Sequence, residues 1–206
     1  MSSRIKQAQW LSVLIFIFGC VFYLTGAAIK PEYSSASQFI SELNATGSAW
    51  GDALGYLGFL PLGLLFAAFL LVAKPLAKAE GNSLIGWWLL WSQPIAFIGV
   101  AFAPCDLGCP VDGSTTQSIH NLLSTVTYFS GGISLILISF ANVLLKQKFI
   151  IRMFLRFSGI AFFAIFIIML LPEVSQIRGM VQRFADLLLA SSLILIAWNI
   201  LEIDHQ

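Results

Sequence analysis

Charge is what this sequence has least of. Lys, Arg, Asp and Glu together make up 10% of its 206 residues, where a soluble domain carries about 25%. A chain so short of ionisable groups cannot cover itself with a surface that water tolerates. A soluble enzyme is excluded, and a disordered hub with it. The formal net charge of +1 offers no basic footprint, so nucleic acid is excluded as a partner. Histidine occurs twice, and His205 sits in the C-terminal tail. That leaves His120 alone, too few for a haem held by two histidines or a multi-histidine zinc hydrolase. No GxSxG elbow, Walker loop or GxGxxG turn is present. No cofactor is expected.

What remains is apolar. Hydrophobic residues make up 58% of the chain, and six stretches reach the ~20 residues that a membrane-spanning helix needs. They run from Trp10 to Ile29, Asp52 to Ala73, Leu84 to Ala103, Ser118 to Leu145, Ile151 to Leu171 and Val181 to Leu201. Backbone groups in hydrocarbon must be satisfied within the segment, so the fold class is all-α, a single bundle of six transmembrane helices. The first run is long for a signal peptide and its cleavage pattern is weak, which favours a retained helix. With the N-terminus inside, Arg4, Lys6, Lys74, Lys78, Lys146, Lys148, Arg152 and Arg156 all fall on the cytoplasmic side. This asymmetry predicts a plasma (inner) membrane protein with both termini cytoplasmic. Trp10, Trp87, Trp88 and Trp198 would form an aromatic belt at the inner boundary. Pro61 and Pro94 are expected to kink their helices, and Gly51, Gly55 and Gly58 to provide a close-packing face. Cys20 reads as a small buried filler.

Polar residues collect in the outer connections, 30–51, 104–117 and 172–180. These hold Glu32, Glu42, Asp106, Asp112, Glu173 and Arg178, with His120, Arg183 and Asp186 just inside the adjoining helices. In the fourth span Gln117, His120, Asn121, Ser124, Thr127 and Tyr128 share one face and then give way to Gly131 and Gly132. A stripe that stops part-way predicts a pocket and argues against a pore. Arg183 and Asp186, three residues apart, can pair, and Arg178 with Arg183 could receive an anionic group. His120 with Asp106 or Glu42 could act as an acid–base pair. Phe39, Ile40 and Leu43 predict a short amphipathic helix at the outer interface. Asn44-Ala45-Thr46 matches a glycosylation sequon. Cys105 and Cys109 read first as a disulfide aiming Asp106; free thiols, or a metal site completed by His120 and a carboxylate, remain open.

YSSASQFISELNATGS after the first span, FAPCDLGCP closing the third, His120 opening the fourth and GMVQRFADLL entering the sixth resemble the family called domain of unknown function 998. Its members are six-helix integral membrane proteins of bacteria and archaea. The resemblance implies a six-helix bundle and favours Ser41, Glu42, Asp106, His120 and Arg183; it implies no activity. The expected function is an outward-facing polar pocket that binds a lipid headgroup or another amphiphile, using Ser41, Asn121, Arg178, Arg183 and Asp186. The alternatives are a hydrolase or transferase acting on lipid-linked substrates through His120, and a structural or assembly subunit docking a membrane-protein partner.

Overall fold

A computed structural model describes residues 3–142, 144 and 148–201. Six helices in it are long and apolar enough to cross a membrane: α1 (Ser3–Ile29), α2 (Gly51–Leu76), α3 (Gly81–Phe102), α4 (Thr115–Ile138), α5 (Phe149–Met169) and α6 (Arg178–Asn199). Among the described residues there is no strand. The chain is an all-helical, multi-pass membrane protein. His205 and Lys146 lie outside the described residues. The expected spans and the helices agree within a few residues at most ends. The two largest differences are α4, which ends at Ile138, short of the expected Leu145, and α1, which begins at Ser3, because an established helix gains a hydrogen bond with each residue it adds, polar or not.

Each helix packs against its neighbours in sequence, and α6 returns to α1, so the six close into a ring. The regular α-helical bonding of two helices is interrupted where proline removes a donor. Ahead of Pro61, residues Gly55–Phe59 widen into a π turn. Ahead of Pro94, α3 breaks between Leu89 and Ser92, with the freed Leu90 carbonyl accepting the Gln93 N–H at 3.1 Å. Small residues set the closest approaches. Gly58 lies against the Phe22 ring and Gly55 against Ala101, so the expected small-residue face packs within the chain. α4 and α5 cross at Gly132 and Gly159, where a Cβ on Gly132 would stand 2.8 Å from the Gly159 carbonyl oxygen.

Away from the connections the ring is filled by Phe66, Phe69, Trp87, Leu135 and Leu189, all buried. Two expectations are corrected here. Trp87 is not in an interfacial belt: it is fully buried and stacks on Phe69 at 6.4 Å. Cys20 is not buried but exposed on the bundle's flank. In a helix apolar on every side, hydrophobicity does not distinguish the face that meets lipid from the face that meets protein.

Candidate functional site

The connection between α1 and α2 folds inward and plugs one end of the ring. Its 3-10 helix, Ile40–Asn44, buries Ile40, Glu42, Leu43 and Asn44, so it does not lie on an interface as an amphipathic helix would. The start of α6 holds it. Arg183 donates to the carbonyls of Ser35 (2.8 Å), Gln38 (3.3 Å) and Gly179 (2.9 Å), and to the Tyr33 hydroxyl (2.7 Å). Arg178 donates to the Ser37 carbonyl at 3.0 Å, and the Gln182 side chain accepts the Ile40 N–H at 2.6 Å. On the other side Thr46 N–H reaches the Cys105 carbonyl at 2.8 Å. Asn44 gives its amide to the Val100 carbonyl at 2.9 Å. The nitrogen a glycan would need is therefore buried and already donated, and the sequon is not a modification site.

The charged candidates are engaged one by one. Glu42 accepts from Gln38 Nε2 and from Phe39 N–H, both at 2.9 Å, and pairs with Arg178 at 3.6 Å. Its backbone carbonyl accepts from Lys30, an ammonium that burial holds below its ordinary range against the pull of Glu42. Asp186 does not pair with Arg183 as the spacing allowed; its Oδ2 accepts the Tyr23 hydroxyl at 2.7 Å. His120 is buried with Nδ1 3.2 Å from the Ala103 carbonyl. Only a protonated nitrogen can bond a carbonyl, so Nδ1 carries the hydrogen and Nε2 keeps its lone pair. Neither Glu42 nor Asp106 hydrogen-bonds the imidazole, and the expected acid–base pair is not assembled.

Cys105 and Cys109 are joined as a disulfide with Cα atoms 5.1 Å apart. Gly108 and Cys109 both have positive φ, 80° and 44°, which turns the loop tightly enough to bring the two cysteines together. The ring does not aim Asp106 into the bundle. That carboxylate accepts the Ser114 N–H and hydroxyl, each at 2.8 Å, beside the first turn of α4. These two donors hold the Asp106 carboxyl below the usual aspartate range. A folded value below the unfolded one means the contribution is present above pH ~3.9, the ordinary aspartate value, and is lost as pH falls through the depressed one. In an acid titration followed by NMR, the Ser114 amide resonance should move with a midpoint below the ordinary aspartate value. A midpoint at the ordinary value would mean the bonds are not formed in solution.

Beneath the plug lies a chamber of about 70 Å³ to which every helix contributes: Tyr23, Phe59, Phe97, Tyr128, Phe162 and Asp186, in helix order, with Ile40 and Ser41 as its roof. It borders two larger cavities. One, of about 270 Å³, lies among α4, α5 and α6 and shares Ser41, His120, Ser124, Tyr128 and Gln182 with the chamber. The other, of about 320 Å³, is a groove on the α1–α6 side that shares Tyr23, Phe97 and Asp186. Leu24, Leu187 and Cys20 are exposed along this groove, so it opens sideways. Its walls are apolar except at the plug end, where Tyr23, Ser35, Arg183 and Asp186 gather.

The family model for the protein of unknown function DUF998 matches residues 10–199, from α1 through α6. The chain belongs to the DUF998 family. No curated protein and no solved structure matches it. In this DUF998 protein the plug, the disulfide loop and the start of α6 coincide with the segments that carried the resemblance. Of the sequence candidates, Ser41, His120 and Asn121 line the 270 Å³ cavity, and Arg183 and Asp186 line the 320 Å³ groove. Glu42, Asp106 and Arg178 stand outside both, in the plug and its supports. Tyr23, Tyr33, Gln38 and Gln182 were missed. The one available signal was that a polar group at membrane depth needs a partner, which asks for a donor to Asp186 without saying which.

Proposed function

We propose that this DUF998 protein binds an amphiphile drawn sideways from the bilayer, its chain in the α1–α6 groove and its polar head at the plug. The observation that carries the reading is the groove itself. It opens laterally at membrane depth, is apolar along its length, and ends on a cluster of polar groups. Its 320 Å³ falls in the range of small-molecule sites, about 300–1,000 Å³. The chemistry at the end of the groove narrows the head. Arg183 is committed to the plug and Arg178 bonds the Ser37 carbonyl and pairs with Glu42, while Asp186 accepts one hydrogen bond, from Tyr23, among the described residues. A head that brings donors, a hydroxyl or an ammonium, satisfies that carboxylate best; Arg183 at the rim can add one contact to an anionic group beside it. The basic residues Arg4, Lys6, Lys74, Arg152 and Arg156 lie at the end of the bundle away from the plug. Their distribution supports a plasma (inner) membrane orientation with both termini cytoplasmic and the site facing outward.

Gly19 provides the test. It lines the groove, and a Cβ built there meets no atom within 4 Å. A side chain at this position therefore starts into the groove without a clash, and leucine is a better helix former than glycine by roughly 0.8 kcal/mol. Protein purified in mild detergent should carry about one amphiphile per chain by native mass spectrometry. Gly19→Leu should lose most of it while keeping the wild-type elution volume and melting temperature. Equal retention by the folded variant would refute the groove as the site.

A further inference from the structure

We propose that Cys105, Cys109 and His120 form a redox-gated site for a thiophilic divalent cation such as zinc, closed in the disulfide form and available once the disulfide is reduced. The ligand atoms of the three side chains lie within 4.8 Å of one another. Zinc–sulfur and zinc–nitrogen bonds of ~2.3 and ~2.0 Å place neighbouring ligands of a tetrahedral site about 3.5 Å apart. Parting the two sulfurs and rotating side chains closes the remaining gap. The histidine already has the tautomer of a ligand. Its Nδ1–H is committed to the Ala103 carbonyl, the arrangement by which metal-binding imidazoles fix their tautomer and free Nε2.

The site has three protein ligands and room for a fourth. Cys109 and His120 border the 270 Å³ cavity, with Asn121 and Ser41 beside them, and the Ser41 hydroxyl donates toward Cys109 Sγ at 3.4 Å. Three protein ligands with an open position characterise zinc sites that take up water or substrate, as opposed to closed structural sites. Gating follows from the sulfur chemistry. Cys105 is fully buried and Cys109 only half-buried, so an incoming dithiol attacks Cys109. A mixed disulfide forms and the Cys105 thiolate leaves. The second thiol of the reductant then displaces Cys109, and the reductant departs as its own disulfide. Two electrons and two protons have passed to the pair, and metal binding releases the two thiol protons.

The experiment uses the full-length protein in detergent with cobalt(II) as the probe, before and after reduction by a phosphine that does not bind metal. One equivalent should bind only after reduction, with the sulfur-to-cobalt charge-transfer band and the intense visible bands of a tetrahedral site. Zinc should displace it, and His120→Gln should weaken binding at least ~10-fold, a typical scale for a disturbed metal shell. X-ray absorption on the zinc-loaded wild type needs no variant and should give two sulfurs and one imidazole. No binding by the reduced protein, equal binding by the oxidised protein, or a shell without sulfur would each overturn the proposal. So would binding indifferent to His120→Gln in a variant of unchanged helix content. Amphiphile retention by the oxidised protein is a separate readout, so the groove and the metal site stand or fall independently.

Discussion

Gly179→Val should detach the plug from α6 and expose the connection between α1 and α2 to protease. Gly179 lies directly beneath three backbone carbonyls of the plug, those of Gln38, Ser35 and Ala36. A Cβ would stand 2.7 Å from the Ser35 oxygen and 2.9 Å from that of Ala36, and closer still to Gln38. None of these can move as a flexible side chain could. The Ala36 carbonyl also accepts the Met180 N–H at 3.1 Å, and Arg183 bonds the other two. A shift large enough to admit the new side chain therefore breaks several bonds together. Overpacking alone costs about 1–3 kcal/mol, and the lost charge-assisted bonds add about 1.5–3 kcal/mol each. We expect cleavage between residues 30 and 50 to accelerate more than tenfold under limited proteolysis, with six helices still present by circular dichroism. Unchanged proteolysis would show that the plug is held elsewhere.

Glu42→Ala should be the most destabilising single change among the candidate residues, by about 3 kcal/mol, the scale for removing one partner of a buried ion pair. The carboxylate is 4% exposed and collects Arg178, Gln38 and the Phe39 N–H. Its loss strands the Phe39 donor and leaves Arg178 with the Ser37 carbonyl and the face of Phe39, 4.4 Å away. Glu42→Gln separates the contributions. It keeps an acceptor for Phe39 N–H and removes the charge, so it should recover about half of the loss in thermal melting. If the two variants melt alike, the charge pair carries the effect; if Glu42→Gln melts like wild type, the hydrogen bonds do. An alanine variant that melts like wild type would refute the structural role altogether.

Both changes act on parts whose chemistry was visible in the sequence and whose partners were not. Six helices could be read directly, because bilayer thickness sets a minimum length of apolar chain and no soluble alternative tolerates so little charge. The cluster of Glu42, His120, Arg183 and Asp186 at one end could be read for a related reason: ionisable groups near a bilayer gather where protein or water can receive them. Spacing along a helix then misled. Arg183 and Asp186 are near neighbours in sequence, yet the guanidinium reaches carbonyls of a loop about 148 residues away and the carboxylate takes a tyrosine from α1. Partners so distant depend on how the plug folds, and backbone carbonyls leave no mark in composition. Asn44 failed as a sequon, and Cys20 as a buried filler, because burial in a membrane protein is decided by neighbouring helices.

The ring has one seam unlike the others. Five of its junctions join helices adjacent in the chain, and the sixth joins α1 to α6. Neighbouring helices can pair as they emerge during synthesis, since local contacts form early and at small entropic cost. The α1–α6 junction has to wait for the last helix. Until then the α1 wall of the groove faces lipid, and closure traps or expels whatever rests against Gly19 and Tyr23. If the groove serves as proposed, biosynthesis would supply a first occasion for loading it, before the mature protein met any ligand by lateral diffusion.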